Sequence, residues 1–411
     1  MTPVCLYFKV HQPYRLKKYE AKDIDACHCY EDAAADEENI NRLADECWLP
    51  ANEIIYDQII NHNGRFRCSF SISGTVLELT HKYRPDVIDS FKQLATTRCV
   101  EFTAETYYHS LSSLYSMAEF QRQVQKHCNL INELFDIDPI IFRNTELIHN
   151  NRIAALVASM GFKAILCEGV ERILKGRDCN QVYAAPGSED LYLLLRNATL
   201  SDDIAFRFGD PNWSEHPLTA DKFAEWLHHH PEDTRVINLF MDYETFGIHK
   251  KKETGIFDFL ASLPAAVLAN DNFIFSTPAG IVEEKFPGGL YDVPQTISWE
   301  DRADNSCIWC ENVMQNNTLK KIYSIENLVL QSTDKQAADT WGRLQSADYF
   351  YYMADDSRKE GAAKYVTDCS AKEVFQHYTN LVADFEISLI KKVIEGKKNS
   401  SRHIPFNILS N

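Results

Sequence analysis

Two segments of the chain place carboxylates directly after short apolar runs. Glu146 follows "PIIFRNT", and Asp242 and Glu244 occupy alternate positions at the end of "RVINLFMDYE". Runs of β-branched and aromatic residues of this length predict buried strands, so the three acids are expected at strand ends. In α/β folds the carboxyl ends of parallel strands form the rim on which functional sites are built. We therefore expect these acids to lie near one another.

Two other predicted strands end in polar side chains of the same kind. The segment "KVHQP" supplies His11 and Gln12, and "EFTAETYYH" supplies Glu105 and His109. Each residue also has a plainer interpretation, because a single acid at a strand end is most often a helix cap or an ion-pair partner. Glu146, for example, could cap the following helix or pair with a neighbouring arginine. Four such strand ends together favour a functional site, since gathering buried acids is costly and is typical of active sites.

A pair of carboxylates without an obvious cofactor suits the hydrolysis of glycosidic bonds. One acid protonates the leaving oxygen, and the other attacks the anomeric carbon or activates water. Aromatic rings suit the same chemistry, because sugar rings present C–H faces that stack on them. Trp299 and Trp309 could form such platforms. Packing of a helical segment against the rest of the fold explains these two tryptophans equally well.

Other chemistries lack their usual sequence motifs. The chain contains neither G-x-G-x-x-G nor G-x-x-x-x-G-K-[ST], and it also lacks G-x-S-x-G and H-E-x-x-H. Nucleotide binding, serine hydrolysis and zinc hydrolysis are therefore disfavoured. The one C-x-x-C pair, Cys307 and Cys310, has no second pair at the usual spacing of a zinc site. We expect no metal ion and no cofactor in the site.

The order of the predicted elements is that of an α/β fold. Helical patterns separate eight apolar runs, at residues 4–10, 65–73, 99–105, 139–146, 163–169, 204–209, 235–244 and 273–278. Repeated strand–helix–strand order implies a largely parallel sheet, and seven or eight repeats favour closure into a barrel. From about residue 290 the pattern becomes helical, which predicts a C-terminal helical bundle. The sequence thus predicts a barrel over residues 1–290 and a helical bundle with a tail over residues 291–411.

The composition limits the partners of the chain. Its 59 Asp and Glu residues outnumber its 42 Lys and Arg residues, and the formal net charge is -17. Nucleic acids and anionic membranes are therefore poor candidate partners. There is no run of about 18 apolar residues and no export signal, and the 12 cysteines are scattered, so we expect a soluble cytoplasmic protein with reduced thiols. The sequence does not indicate an oligomeric state.

Four segments together resemble a known family. "HQP" at 11–13, "EFTAETYYH" at 101–109, "FRNTELIHNN" at 142–151 and "MDYETFG" at 241–247 are similar, in this order, to motifs of glycoside hydrolase family 57. The later "SWEDRADNSCIWCENVMQ" and "LQSADYFYYM" resemble the segment that follows the barrel in the α-amylase-like members of this family. The resemblance implies a (β/α)7 barrel with a helical bundle that acts on α-glucans by a retaining mechanism.

The resemblance also implies roles for individual residues. Glu146 matches the catalytic nucleophile of the family, and Asp242 matches its general acid/base. Three more residues match motif positions associated with sugar binding, namely His11, Glu105 and Glu244.

The remaining sugar-binding candidates have weaker support from the motifs. Gln12 belongs to the first motif, Trp309 falls near the last one, and His109 and Trp299 are included because they lie close to motif residues. The chain departs from the family pattern in the loop after the barrel. Asp304 or Asn305 stands there in the place of an expected acid, so the roles in that loop stay open.

The shared motifs leave the reaction itself open. The family includes α-amylases, debranching enzymes, 4-α-glucanotransferases, branching enzymes and α-galactosidases. "FRNTEL" and "DYETFG" are most similar to the α-amylase-type members, which favours cleavage of α-1,4-glucans such as glycogen, starch or maltodextrin through a covalent glycosyl-enzyme. A 4-α-glucanotransferase or branching enzyme would use the same carboxylate pair. A barrel that binds glucan without turning it over is the third hypothesis, and the presence of both carboxylates disfavours it.

Overall fold

The computed structural model describes residues 1–284, 286–300, 307–332, 334, 336–354 and 369–402. Contacts divide the chain into two compact units. The first consists of Met1–Gln12, Ala34–His109 and Met117–Cys307, and the second consists of Pro13–Ala33, Ser110–Ser116 and Ile308–Asn411. This division falls after Cys307 and assigns two short segments from earlier in the chain, Pro13–Ala33 and Ser110–Ser116, to the second unit. The domain boundary at residue 290 stays a prediction.

Nine β-strands occur in the described residues, all of them in the first unit. They are β1 (Thr2–Val10), β2 (Cys68–Ile72), β3 (Val100–Phe102), β4 (Ile141–Arg143), β5 (Ala164–Glu168), β6 (Val182–Ala185), β7 (Ser188–Arg196), β8 (Ile237–Asp242) and β9 (Phe273–Phe275). In the first sheet β1 pairs in parallel with β2, β8 and β9, and β2 pairs in parallel with β3. In the second sheet β5 pairs in parallel with β4 and β7, and β6 pairs antiparallel with β7.

The two sheets meet at both of their edges. Ala104, just after β3, forms a parallel bridge with Phe142 of β4. At the other edge the amide of Asn197, just after β7, donates to the carbonyl of Asn238 in β8 at 2.9 Å. The strand order is therefore β8–β1–β2–β3–β4–β5–β7 and back to β8, a ring of seven parallel strands with regular pairing interrupted at two junctions. This strand order agrees with the predicted (β/α)7 barrel, although the regular ladders form two separate sheets.

Alternation along β1 decides which side chains face the interior of the ring. Cys5 and Tyr7 belong to one buried cluster with residues from β4, β5, β7 and β8, whereas Phe8 packs on the other face against Phe70 of β2. Successive side chains of a strand point to opposite faces. Lys9, at the end of β1, therefore continues the inward row of Cys5 and Tyr7.

Helices cover the strands of the first unit. Up to residue 284 the α-helices are α1 (Ala33–Leu43), α2 (Leu49–Asn61), α3 (Gly74–Tyr83), α4 (Pro85–Thr96), α5 (Ser112–Tyr115, in the second unit), α6 (Met117–Phe135), α7 (Asn151–Ser159), α8 (Glu171–Leu174), α9 (Ala198–Asp202), α10 (Ala220–His228), α11 (Ile256–Leu268) and α12 (Pro278–Glu284). Helix α6 shows the pattern that the sequence predicts, because Phe120, Val124, Ile131 and Phe135 are buried at helical spacing. Each such side chain contributes about 1.5–3 kcal/mol by leaving water.

One predicted strand is wrong. Residues 204–209 were expected to be extended, but they continue α9 as a π-helical turn, Asp203–Arg207. The side chain of Asn197 caps α9 by accepting the amide of Leu200. Leu200, Ile204 and Phe208 are buried four residues apart, so the apolar residues form a helical stripe and not an alternating strand. The strands that were not predicted are β6 and β7, of which β7 supplies a member of the ring.

The second unit is helical, as predicted. Its described helices after residue 307 are α13 (Val313–Ser324), α14 (Glu326–Gln331), α15 (Ala337–Arg343), α16 (Ala347–Tyr352) and α17 (Ala371–Arg402). The carboxylate of Asp384 in α17 accepts hydrogen bonds from the amide of Asp25, from His28 Nδ1 and from the Tyr30 hydroxyl. This one buried acid therefore attaches the segment Pro13–Ala33 to the longest helix.

None of the helices in the described part of the chain is both long enough and apolar enough to cross a membrane.

Candidate active site

The pairing of β1 with β8 brings the first carboxylate to the barrel interior. Lys9 and Asp242 are register partners at the ends of these two strands. The ammonium Nζ of Lys9 lies 3.0 Å from Asp242 Oδ1 and 3.4 Å from Glu146 Oε1. One cation therefore contacts both of the predicted catalytic acids, and it holds them side by side. Lys9 was not among the residues predicted from the sequence.

Glu146 occupies a strained turn just beyond β4. The turn Thr145–Leu147 places Glu146 at φ 53° and Leu147 at φ 51°. A left-handed backbone costs a residue other than glycine roughly 1–2 kcal/mol. Hydrogen bonds hold the turn in this conformation. The side chain of Asn144 donates to the carbonyl of Ile148, and the amide of Leu147 donates to the carbonyl of Asn144.

Three side chains fix the carboxylate of Glu146. Its Oε1 contacts Lys9 Nζ and lies 2.6 Å from His109 Nε2, and its Oε2 accepts from the indole Nε1 of Trp299. Burial works against ionisation of this acid, but the charges of Lys9 and His109 outweigh burial and hold the pKa of Glu146 well below its usual range. Arg143, at the end of β4, acts in the same direction. Glu146 is therefore a carboxylate, which is the form that a nucleophile needs.

His109 joins two predicted site residues into a buried chain. Its Nδ1 lies 3.1 Å from Glu105 Oε2, opposite the contact of Nε2 with Glu146. Burial lowers the pKa of His109, but hydrogen bonds to the two carboxylates prevail and raise it above its usual value. Burial also raises the pKa of Glu105, and the bond to His109 overcomes this effect and brings it to about 2. The three groups are therefore an imidazolium between two carboxylates.

Two more histidines contact the bonded group of Glu105, His109 and Glu146. The ring of His11 stacks on His109 with centroids 3.9 Å apart, and its Nδ1 lies 2.8 Å from Ser73 Oγ. His127 of α6 accepts the amide of Glu105 at Nδ1 and bonds the carbonyl of Ile72 through Nε2. Because Nδ1 accepts and Nε2 donates, His127 is neutral, in agreement with the lowering of its pKa by burial. His127 was not predicted from the sequence, although it lies on the buried stripe of α6.

Asp242 and Glu244 differ in charge although they lie two residues apart. The side chain of Asp242 is 44% exposed. Burial raises the pKa of Asp242, but Lys9 outweighs this and lowers it below the usual value. Glu244 is only 4% exposed, and its Oε1 has no partner among the described residues. Burial and the charge of Asp242 raise the pKa of Glu244 to about 8, so it is a neutral acid at pH 7.

Polar atoms beneath the acids also lack protein partners. Oε1 of Glu105 and the Nε and Nη1 atoms of Arg143 are buried and make no hydrogen bond within the described part of the chain. Buried donors and acceptors are nearly always satisfied by protein, water or a ligand. A buried water molecule would satisfy these atoms.

The predicted aromatic residues fall in different places. Trp299 belongs to the first unit, bonds Glu146, and lies nearly parallel to the half-exposed ring of Phe206 with centroids 6.4 Å apart. Trp309 belongs to the second unit, is only 2% exposed, and packs against Tyr351. The geometry therefore supports a sugar platform at Trp299 and a packing role for Trp309.

Gln12, Asp304 and Asn305 complete the residues singled out from the sequence. The side chain of Gln12 accepts from Asn39 Nδ2 at 3.0 Å, and its backbone carbonyl accepts from Thr75. Asp304 and Asn305 lie outside the described residues. In the described ranges no group of three or more His, Cys, Asp and Glu side chains is arranged to hold a metal ion. That the reaction needs no metal stays a prediction.

The barrel and the acids at its rim define a class of enzyme that acts on glycosidic bonds. Comparison with known proteins gives the family. Residues 5–294 match the sequence profile of glycosyl hydrolase family 57, and the chain belongs to this family. It is also 36% identical, over 420 aligned residues, to a Methanocaldococcus jannaschii protein named "Putative alpha-amylase". This alignment covers 96% of the chain and 87% of that protein.

Solved structures share the fold. A family 57 branching enzyme from Thermococcus kodakaraensis superposes with a TM-score of 0.67 at 14% identity, covering 100% of this chain and 97% of that one. The α-amylase AmyC from Thermotoga maritima gives 0.66 at 12% identity, with 98% and 96% covered. A 4-α-glucanotransferase from Thermococcus litoralis gives 0.64 at 14% identity, and the match covers 88% of this chain but only 56% of that longer one. At these identities the likeness concerns the fold alone.

Proposed function

We propose that this enzyme cleaves α-1,4-glucans with retention of configuration, through a covalent glycosyl-enzyme on Glu146. The supporting observation is the bridge from Lys9 to both acids. The two contacted carboxylate oxygens cannot lie farther apart than the sum of 3.0 and 3.4 Å. Carboxyl groups are about 5–5.5 Å apart in retaining enzymes and about 6.5–9.5 Å apart in inverting ones, which leave room for water. A bridge through one ammonium is compatible with the shorter spacing of retaining enzymes.

The first step uses the two acids in different protonation states. Ionised Glu146 attacks the anomeric carbon while protonated Asp242 gives its proton to the glycosidic oxygen, and the leaving sugar chain departs with that proton. His109 and Trp299 hold the attacking carboxylate in a fixed orientation. Such orientation lowers the barrier, because little reorganisation remains for the transition state.

The second step releases the sugar chain from Glu146. Asp242, now a carboxylate, takes a proton from water, and the resulting hydroxide-like oxygen attacks the anomeric carbon. The ester bond breaks, Glu146 becomes a carboxylate again, and Asp242 is protonated. The greater exposure of Asp242 suits this exchange with water. A sugar hydroxyl in place of water would give transfer instead of hydrolysis.

Two independent considerations support the proposed substrate class. The relatives named above are an α-amylase-like protein, a branching enzyme, an α-amylase and a glucanotransferase. Trp299 and Phe206 offer aromatic faces beside Glu146, and sugar rings stack on such faces. His11, Glu105, Glu244 and Gln12 are proposed to bind sugar hydroxyls around the acids, whereas the burial of Trp309 argues against a role in direct stacking. A cytoplasmic location stays a prediction.

The product profile from one defined maltooligosaccharide tests this proposal. Wild type is compared with Glu146→Gln and Asp242→Asn, with Asp210→Asn as a matched control on an exposed loop of the same unit. Retaining hydrolysis predicts only shorter products, with the initial anomer of the α configuration by NMR. Both active-site variants are expected to lose activity by about 10³-fold or more, on the order of the losses seen for nucleophile removal. The control variant keeps its activity.

Other outcomes would change the assignment. Products longer than the substrate, lost in the same two variants, would assign transfer. Full activity in Glu146→Gln would remove Glu146 from the reaction. Tight binding of glucan by wild type with no product would support a binding protein.

A further inference from the structure

Lys9 lies within bonding distance of two carboxylates, whereas an ion pair needs only one. Its Nζ is 3.0 Å from Asp242 Oδ1 and 3.4 Å from Glu146 Oε1, and its side chain is only 14% exposed. The ammonium is held there by the strand pairing that makes Lys9 and Asp242 register partners. Only a small displacement separates a position bonded to one acid from a position bonded to the other.

The negative charge moves between the two acids during the proposed reaction, which is why contact of Lys9 with both of them matters. Before the first step Glu146 is an anion and Asp242 carries a proton. In the covalent intermediate Glu146 is a neutral ester and Asp242 is an anion. The pair therefore carries one negative charge in both states, but the charge has moved from one acid to the other. A buried charge without a counter-charge is costly, so a single cation that reaches both acids offsets this cost throughout.

We propose that Lys9 is a positioning residue that changes partner during the reaction, bonding Glu146 when Asp242 holds the proton and bonding Asp242 in the glycosyl-enzyme. This inference rests on the proposed roles of the two acids. In the first step the glycosidic bond breaks, the bond from Glu146 to the anomeric carbon forms, and the proton of Asp242 leaves with the sugar chain. Lys9 moves no proton itself. It follows the negative charge from one carboxylate to the other.

The other charged groups near the two acids are not placed to balance the charge on both of them. Other titratable or charged groups surround Lys9 and the two acids. Tyr7 lies on β1, Glu105 and His109 follow β3, Arg143 ends β4, and Glu244 and His249 follow β8. His109 is bound between Glu105 and Glu146 and has no contact with Asp242 among the hydrogen bonds of the described residues. Burial lowers the pKa of His249, so it is neutral. Arg143 bonds neither acid in the described part of the chain, so Lys9 is the cation there that lies within hydrogen-bonding distance of both.

In the free protein Lys9 faces two ionised acids, because the pKa of each is lowered below its usual value. Burial opposes the charge on Lys9, but the two carboxylates prevail and raise its pKa above the usual value. Lys9 in turn lowers the pKa of Asp242 and Glu146. Asp242 must regain a proton before it can act as an acid, and this requires Lys9 to turn fully to Glu146. Removing the lysine charge should therefore raise the pKa of both acids.

The pH profile of kcat/KM on an aryl maltooligosaccharide tests whether the charge of Lys9 acts on both acids, because a lysine that only packed beside them would change the height of the profile and leave its limbs in place. Wild type is compared with Lys9→Met, which removes the charge, and with Lys9→Arg, which keeps it. Ionisation of Glu146 gives the acidic limb of the bell and deprotonation of Asp242 gives the alkaline limb. Loss of an adjacent opposite charge raises a carboxyl pKa by about 1–3 units. We expect both limbs of Lys9→Met to move to higher pH, by at least about one unit, and those of Lys9→Arg to stay near wild type.

A second readout follows the intermediate. Without Lys9 the pKa of Asp242 is higher, so at a pH below that pKa a smaller fraction of Asp242 is ionised in the intermediate and hydrolysis of the ester slows. Lys9→Met should then show a burst of released phenol of one equivalent per enzyme, and intact-mass spectrometry should detect the sugar adduct on the protein.

Failure of the inference and failure of the proposed function are distinguishable. If Lys9→Met loses activity while both limbs stay in place and no adduct accumulates, the inference is wrong and Lys9 only stabilises the fold. If Lys9→Met does not fold, as judged by circular dichroism, Lys9→Gln replaces it with a polar neutral side chain and the same criterion. Activity that survives in Glu146→Gln or Asp242→Asn would instead overturn the proposed function itself.

Discussion

Two buried glutamates of this site have opposite protonation states for identifiable reasons. Glu105 is bonded to the imidazolium of His109, which overcomes the effect of burial and brings its pKa to about 2. Glu244 has no cation within bonding distance among the described residues, and burial beside Asp242 raises its pKa to about 8. The side-chain type is the same in both cases, so the neighbours alone decide which acid carries a proton at pH 7.

Glu244 should make stability fall as the pH rises. Its pKa is about 8 in the folded protein and near 4.3 in the unfolded chain, so the folded state binds an extra proton between these values. Stability from this group is complete below about pH 4 and is lost as the pH rises toward 8, by at most about 1.36 kcal/mol for each pH unit. Glu244→Gln, which mimics the neutral acid, should be more stable than wild type at pH 8 but not at pH 4.5.

Urea denaturation at these two pH values measures the effect. Glu253→Gln, an exposed acid nearby, serves as the control and should leave the pH dependence unchanged. An equal stability difference between Glu244→Gln and wild type at both pH values would contradict the prediction.

The sequence predicted where the two acids lie, but it did not predict the cation that contacts both of them. Glu146 and Asp242 were found because each ends an apolar run. Lys9 was missed, although Tyr7 and Lys9 alternate along β1 and therefore share its inward face. A lysine at the end of a strand is usually solvated, and only the pairing of β1 with β8 shows that this one meets two acids.

Elements were predicted where local patterns agree with the tertiary fold. Helices between the apolar runs were expected, and two of them are α6, with its buried stripe, and α7, where the side chain of Asn150 accepts the amide of Ile153. The segment 204–209 was wrong because its apolar residues also fit a strand over a few positions, and the cap at Asn197 decides for a helix. The hairpin of β6 and β7 was missed because only a tight turn joins its strands, and the polar residues at the start of β7, Ser188 to Asp190, interrupt its apolar pattern.

The helical unit depends on one buried acid in α17. Asp384→Asn leaves the hydrogen bonds from Tyr30 and from the amide of Asp25 without a charged acceptor, so we expect a loss of about 1–3 kcal/mol at pH 7. Burial would raise the pKa of Asp384, but hydrogen bonds from His28 and the other donors lower it. Stability from an acid with a lowered pKa is present above its unfolded pKa and is lost as the pH falls.

Urea denaturation should therefore show the variant less stable than wild type at pH 7, with the gap narrowing toward pH 3. Glu395→Gln, an exposed acid on the same helix, should match wild type at both pH values. A gap that persists unchanged at pH 3 would mean that packing, and not the charge of Asp384, accounts for the loss.

At the scale of the whole molecule, binding of substrate should be visible as added stability. A ligand that binds only the folded state stabilises it by about 2.7 kcal/mol at 100 times its Kd. We expect maltooligosaccharides to raise the melting temperature of the inactive Glu146→Gln variant in a concentration-dependent way. Galactooligosaccharides are the matched control, and an equal shift with them would contradict the proposed substrate class.

The charge of the whole chain limits what else it binds. A formal net charge of -17 opposes association with nucleic acids and anionic surfaces, whereas a neutral glucan is not repelled. The family could be predicted from four spaced motifs because each of them surrounds a strand end. Chain-length preference depends on loop shapes that no motif encodes.

The left-handed turn at Glu146 and Leu147 has a consequence for the kind of sequence that could replace it. Glycine or asparagine would adopt these backbone angles with less strain, so a chain selected for folding alone would favour one of them at residue 146. A glutamate at residue 146 makes the fold less stable, and in the proposed reaction it supplies the nucleophile. Stability-guided redesign of this enzyme would therefore change position 146 among the first, and under the proposed function it would lose the reaction by doing so.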